Sequence, residues 1–249
     1  MNDTKKINLQ QKEKYDELNS KLIQSYIQVY SEELSGYMAN RNGPIRILDI
    51  GGGAGRFGVA LKELFPYEFE IHVVDNTRYE SWDELKSIIN FHEKSAFEIQ
   101  DMFETKYFDF IFAHHFFHHI VQGSYQKTTS GFFKLIQQIK HVLKEDGKLC
   151  IIDHFYDGIL FHCATSRIIF KLTSSTNPLI VRICKKMRAQ SAGIGVCYLT
   201  SSLWKNLLAS AGFKVIYYYS KPKKMRLLRR IALLNKNYSD QYVLISQIN

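Results

Sequence analysis

The chain has 249 residues, 45% of them hydrophobic and 23% charged, which suits one ordinary domain with a buried core and excludes a disordered chain. No apolar run reaches the ~18–20 residues of a membrane span, and the opening Met-Asn-Asp-Thr-Lys-Lys leads into polar helical sequence, so a cytoplasmic protein is expected. The net charge is +9, and its excess lies late: residues 1–150 hold 18 Lys/Arg and 21 Asp/Glu, whereas 151–249 hold 15 Lys/Arg against Asp153, Asp157 and Asp240. Such asymmetry fits an acidic partner (nucleic acid, an anionic membrane or an acidic carrier protein) or simply a basic surface. Cys150, Cys163, Cys184 and Cys197 form no CxxC pair, which speaks for reduced thiols and against a zinc site or disulfide framework.

Along the chain, Tyr15, Leu18, Leu22, Ile23, Tyr26, Ile27, Tyr30, Leu34 and Tyr37 recur at spacings of three and four, which predicts an amphipathic helix over 9–40. Gly43-Pro44 ends it. Strands are then predicted at 45–50, 70–75, 95–100, 108–113 and 148–153, with helices at 56–64, 81–90 and 131–144 between them. Near the end, a helix over 201–211 precedes strands at 214–219 and 242–247. This alternation predicts an α/β domain: a seven-stranded, mostly parallel sheet with helices on both faces. Two basic stretches, 156–200 and 221–240, fall outside it.

The segment Ile47-Leu48-Asp49-Ile50-Gly51-Gly52-Gly53-Ala54-Gly55-Arg56-Phe57-Gly58 runs from an apolar strand through glycines into a helix. Glycine is needed where the backbone takes positive φ or approaches a ligand, and the helix start offers unpaired N–H groups. Gly53 to Gly58 fits GxGxxG, and Asp75 follows Gly55 by 20 residues, as in a dinucleotide fingerprint. That reading leaves Asp49, a carboxylate ending a buried strand, without a task. A Walker A loop is excluded, because no Gly-Lys-Ser/Thr follows.

Asp49, Gly51, Gly53 and Gly55 match, position by position, the Asp/Glu-x-Gly-x-Gly-x-Gly motif of the class I S-adenosylmethionine-dependent methyltransferases, which this chain resembles. Val73-Val74-Asp75, Gln100-Asp101-Met102-Phe103, the strand-four segment 108–120, the 140–149 helix-to-strand turn and 207–215 with its Ala211-Gly212-Phe213 are similar to later motifs of that family. The resemblance covers residues 44–155 and 200–247. It implies a Rossmann-like fold, S-adenosylmethionine as cofactor, and cofactor-binding roles for Asp49, Gly51, Gly53, Gly55, Asp75, Asn76, Asp101, Met102, Ala113 and His114. Acids at three strand ends suit a ligand with an ammonium, two hydroxyls and an exocyclic amine.

His114, His115, His118 and His119 include i, i+4 pairs, but no Cys or Glu completes a ligand set nearby, and no metal is expected. His118 and His154 are candidates for a general base, since both follow strands whose carboxyl ends face the ligand in open sheets; packing histidines would look the same. No Asn/Asp-Pro-Pro-aromatic motif follows strand four, which argues against adenine or glutamine N-methylation of the resembling kind. No Pro-Cys argues for a covalent pyrimidine mechanism either.

The expected organisation is an N-terminal helical cap (1–43), a core (44–155 and 200–249) and a helical substrate lid (156–199). The lid is apolar through Ile159, Leu160, Phe161, Ile168, Ile169, Phe170, Leu172, Leu179, Ile180, Ile183 and Met187, with a basic end at Arg182, Lys185, Lys186 and Arg188. Residues 221–237 carry seven basic residues and no acid, as a helix lying on an anionic membrane or docking an acidic carrier would. The reading is a methyltransferase acting on a small or carrier-bound molecule, most readily on oxygen. Its alternatives are RNA, or a membrane quinone or lipid, as acceptor, and a non-catalytic cofactor-binding scaffold.

Overall fold

In the computed structural model, which describes residues 9–158, 163–187, 189, 191–223, 231, 233 and 235–249, the elements alternate largely as the pattern predicts. Leu9–Met38 is helix α1, Ile45–Ile50 strand β1, Arg56–Leu64 α2, Phe69–Asp75 β2, Ser81–Leu85 α3, Asn90–Glu93 β3, Ile99–Met102 α4 and Phe108–His114 β4. Tyr125–Val142 is α5, Leu143–Gly158 β5, Ala164–Thr173 α6, Pro178–Lys186 α7, Ser201–Ser210 α8, Phe213–Pro222 β6 and Asn235–Ile248 β7. The seven strands form one sheet in the order β3-β2-β1-β4-β5-β7-β6, with β7 antiparallel to both its neighbours. Chain order reverses between β1 and β4, and in open α/β sheets the crevice at the carboxyl ends of such strands takes the ligand.

Side chains alternate across β4. Phe110 and Phe112 meet α1 and α2 on one face, while Ile111 and Ala113 meet α5 and α8 on the other. All seven residues of β4 except His114 are buried, as expected of a central parallel strand. The apolar stripe of α1 lies on the first face through Tyr26, Ile27, Tyr30, Leu34 and Met38. Part of the segment expected as a cap is thus a layer of the core. Tyr37 fixes one end: its hydroxyl donates to buried Asp109 (2.7 Å), which also accepts from Lys144 Nζ (2.7 Å) and the Arg46 N–H (2.9 Å), so the buried charge is paired. Tyr26 and Tyr30 bring the other end to the carboxyl edge of β4, beside His114 and His115.

The third strand differs from the sequence reading. Pairing with β2 occurs at 90–93, not at 95–100, because Ser95 and Glu98 form a capping box: the Ser95 hydroxyl accepts from the Phe97 N–H (3.2 Å) and the Glu98 carboxylate from the Ser95 N–H (2.8 Å). That reciprocal bonding satisfies the first donors of a helical turn. The 81–90 helix stops at Leu85 for the same stretch of chain to turn into β3. Ile159, Leu160, Phe161, Arg188 and most of the basic 221–237 segment lie outside the described residues. Of that segment, Lys221 and Pro222 end β6 and residues 235–237 open β7.

Candidate active site

The loop between β1 and α2 turns through left-handed backbone at Gly51 (φ 70°), Gly53 (φ 54°) and Gly55 (φ 76°). A side chain at Gly51 would run into the Phe116 ring, and one at Gly55 would sit 2.7 Å from Phe91, so only glycine allows this path. Asp75, ending β2, braces the loop: its carboxylate accepts from the Gly53 N–H (3.1 Å) and the Thr77 N–H (3.0 Å). The Trp82 indole N–H donates to the Gly53 carbonyl (2.8 Å). Asp49 lies buried beneath the loop, against Gly52. Burial, and then the charge of Asp75, push its carboxyl up to about 7.

This loop opens on a cleft of about 570 Å³ lined by Gly51, Asp75, Asn76, Tyr79, Ser95 to Phe97, Phe116 and Gln122, among others. A second cavity of about 560 Å³ lies beside it, beneath the helices of the insert. His115 and His119 line both. They form the partition between two adjoining chambers at the carboxyl ends of β4 and β5.

The second chamber is walled by His118, His154, Tyr156, Tyr198 and Tyr238 on one side and by Ile169, Leu172, Val196 and Met187 on another. At its base, His118 Nδ1 lies 2.5 Å from Asp153 Oδ1. Both residues are buried. Burial acts against the charge on Asp153, but His118, aided by His115 and His154, outweighs it and holds the carboxyl below its usual range. An ionised carboxylate only accepts, so the proton of the pair sits on His118 Nδ1. The Asp153 oxygens also accept from the His154 N–H (2.7 Å) and the His118 N–H (3.2 Å). His115, His118 and Asp153 present potential ligand atoms within 4.8 Å of one another. Both carboxylate oxygens accept from N–H donors, so the group is a hydrogen-bonded dyad that can hold a proton.

Of the residues singled out in the sequence, Gly51, Asp75 and Asn76 line the cleft, Gly53 and Gly55 shape its loop, and Asp49 underlies it. Asp101 and Met102 do not reach it: the capping box winds that stretch into α4, where Asp101 is exposed, and Ser95 to Phe97 take the place beside the cleft. Ala113 is buried in the core and lines neither chamber. His114 turns to the other face of the sheet, packed edge-on to Phe57 (4.5 Å between ring centres) and near Tyr30. Burial, then His115, push its pKa down to about 3, so it stays neutral. His118 and His154 both line the second chamber. Sequence reasoning missed Asp153 as partner of His118, and His115 and His119 as the partition.

A family model described as a methyltransferase domain matches residues 18–218. A search of the curated proteins finds no match. Among solved structures, the YcgJ protein from Bacillus subtilis is similar at 18% identity over 88% of this chain and 98% of that chain, with a TM-score of 0.54. A SAM-dependent methyltransferase from Methanosarcina mazei gives 16% identity, 85% and 96% coverage and 0.56. The 1,6-didemethyltoxoflavin-N1-methyltransferase of Burkholderia thailandensis, solved with bound 1,6-didemethyltoxoflavin and S-adenosylhomocysteine, gives 15%, 94% and 90%, and 0.51. At such identities these likenesses speak for the fold. The family match over most of the chain joins them to the glycine loop and its acids, and the chain belongs to the class I S-adenosylmethionine-dependent methyltransferases.

Proposed function

We propose that the protein methylates a small, largely apolar molecule on a hydroxyl oxygen, with the first chamber holding the cofactor and the second the acceptor. The observation that carries this reading is the His118–Asp153 dyad in the wall of the second chamber. The residues of the cleft fit the cofactor: left-handed glycines leave room for a close approach, and a buried acid waits for a cation. Asp49 would hold the amino end and Asp75 the ribose hydroxyls. S-adenosylmethionine supplies, when bound, a methyl group on a cationic sulfur. His118 Nε2 takes the acceptor's hydroxyl proton as the oxygen attacks, while Asp153 fixes the imidazole and stabilises its charge. His115 and His119, between the chambers, orient the oxygen and exclude water, and positioning of this kind carries much of such a transfer. Tyr26 steadies His115 with a 2.7 Å hydrogen bond to Nε2.

The insert acts as the lid of the acceptor chamber. Its inner apolar lining favours an aromatic or aliphatic acceptor over RNA, which would need an open basic groove. The test is a panel of hydroxylated aromatics, matched amines, an acidic carrier bearing an acyl group, and RNA, with labelled S-adenosylmethionine and mass-spectrometric location of the methyl. Methoxy products from the hydroxylated set are expected. Methylation of the amines or RNA alone would overturn the reading, and cofactor binding without any turnover would point to a scaffold.

A further inference from the structure

Five aromatic rings of the second chamber form a closed circuit of contacts. From the dyad outward, the Tyr198 ring stacks on His118 (5.1 Å between ring centres, 30° between planes), Tyr156 lies 4.9 Å from Tyr198, and Tyr238 stacks on Tyr156 (4.6 Å, 28°). His154 closes the circuit, 6.4 Å from Tyr238 and 5.2 Å from His118. All five residues line the chamber. Backbone pairing holds the tyrosines there. Tyr156 and Tyr238 are opposite partners in the β5–β7 ladder, where cross-strand aromatic pairs stabilise a sheet. Tyr198 follows Cys197, whose N–H donates to the His118 carbonyl (2.9 Å), and precedes Leu199, whose carbonyl accepts from the Tyr156 N–H (3.4 Å). Fixed through two strands and the last segment of the lid, the rings are set before a ligand arrives, which lowers the cost of binding one.

Such a wall distinguishes between ligands of equal hydrophobicity. The aliphatic lining from Ile169, Leu172, Met187, Val196 and Leu233 takes up any apolar surface in proportion to its area. Ring-to-ring contacts need a flat π face and add to that burial, so a puckered, saturated ring gains the area alone. Tyr198 and Tyr238 are half-buried and keep ring surface for such contacts. Tyr198 also adjoins His118, so a ring held by the circuit lies beside the imidazole. A hydroxyl on an aromatic ring ionises at about 10, whereas an alkyl hydroxyl holds its proton about as tightly as water does. An imidazole base therefore takes the first far more readily.

We propose that the circuit selects a flat aromatic ring, so that the acceptor is a phenol and Tyr198 determines specificity for it. That the phenol is methylated rests on the function proposed above; the choice of ring does not. Calorimetric titration of the S-adenosylhomocysteine complex with 2-naphthol and with decahydro-2-naphthol tests it, since the two share a carbon skeleton and a hydroxyl and only the first is flat. 2-Naphthol is expected to bind about tenfold more tightly. Leu172→Trp, which fills the chamber, abolishes that binding and keeps the S-adenosylhomocysteine affinity. Tyr198→Leu weakens 2-naphthol by about three- to tenfold and leaves the saturated alcohol within about twofold, a split that a general loss of structure would not give. S-adenosylhomocysteine affinity reports that the variant is folded, and Tyr238→Leu provides a second one. Equal affinities of the wild type for the two alcohols overturn the proposal, as does a folded Tyr198→Leu protein that retains the full preference. Binding of 2-naphthol that survives Leu172→Trp overturns it too, because the ligand then lies outside the chamber. A preference that disappears with Tyr198 supports the proposal even where no methoxy product forms, and that failure counts against the proposed function alone.

Discussion

Asp153→Asn lowers kcat for methyl transfer by about 10²–10⁴-fold, the range of a lost general base, with the S-adenosylmethionine Kd unchanged. The carboxylate keeps the His118 proton on Nδ1, 2.5 Å away. An amide can donate there instead, which stabilises the tautomer with its proton on Nε2, where no proton can be accepted. His118→Gln gives a loss of similar size, and the double variant loses little more, because the two groups act as a unit. A merely structural dyad would not produce one further result. Across a series of acceptors of rising acidity, the deficit of His118→Gln shrinks, since an acceptor already ionised in water needs no base. Steady-state kinetics on the series checks this, and a deficit independent of acceptor acidity would assign the dyad to packing.

The affinity for S-adenosylmethionine falls as the pH drops through 7. The Asp49 carboxyl, raised to about 7 by burial and then by Asp75, is largely protonated below that value, and a neutral carboxyl offers nothing to an ammonium. Binding a cation favours the ionised form and must then displace a proton, at about tenfold in Kd per pH unit. Above pH 7 the carboxylate is already formed and the affinity levels off. Calorimetry at pH 6 and pH 8, in buffers of different ionisation enthalpy, counts the released proton. S-adenosylhomocysteine shows the same trend, since it keeps the ammonium and lacks only the methyl and the charge on sulfur. Asp49→Asn abolishes the pH dependence and weakens binding at pH 8 by about 10–100-fold, the worth of one or two charged hydrogen bonds. Equal affinities at pH 6 and 8 for the wild type would remove Asp49 from the cofactor's contacts.

The sheet was legible because its central strands are largely buried. Ile45–Ile50 and Phe108–His114 are mostly apolar runs between turn signals, and such runs have few other readings. The glycine loop was legible because positive φ leaves glycine no substitute. The third strand was lost to a competing local signal. Ser95-Ala96-Phe97-Glu98 carries the Ser-x-x-Glu of a capping box, which outweighs the short apolar run around it, and Asp101 and Met102 moved off the cleft with it. Asp153 obeyed the argument applied to Asp49, a carboxylate ending a buried strand, and that argument would have found it. Its partner was out of reach, since His118 lies 35 residues away and the pairing exists only once β4 and β5 lie side by side. His115 and His119 look no different from His114 in sequence. A left-handed turn at His115 (φ 50°) and the short 3-10 turn at Phe117–His119 decide which rings face the ligand.

Filling the second chamber is the most direct test that acceptor chemistry takes place there. Leu172 lines that chamber and not the cleft, and Leu172→Trp occupies the acceptor's space without touching the glycine loop. The expected result is a loss of methyl transfer of about 10²-fold or more, with the S-adenosylhomocysteine Kd changed by no more than about twofold, as the coupling between well-separated sites is small. Unimpaired turnover by a folded Leu172→Trp protein would place the acceptor elsewhere and contradict the two-chamber reading.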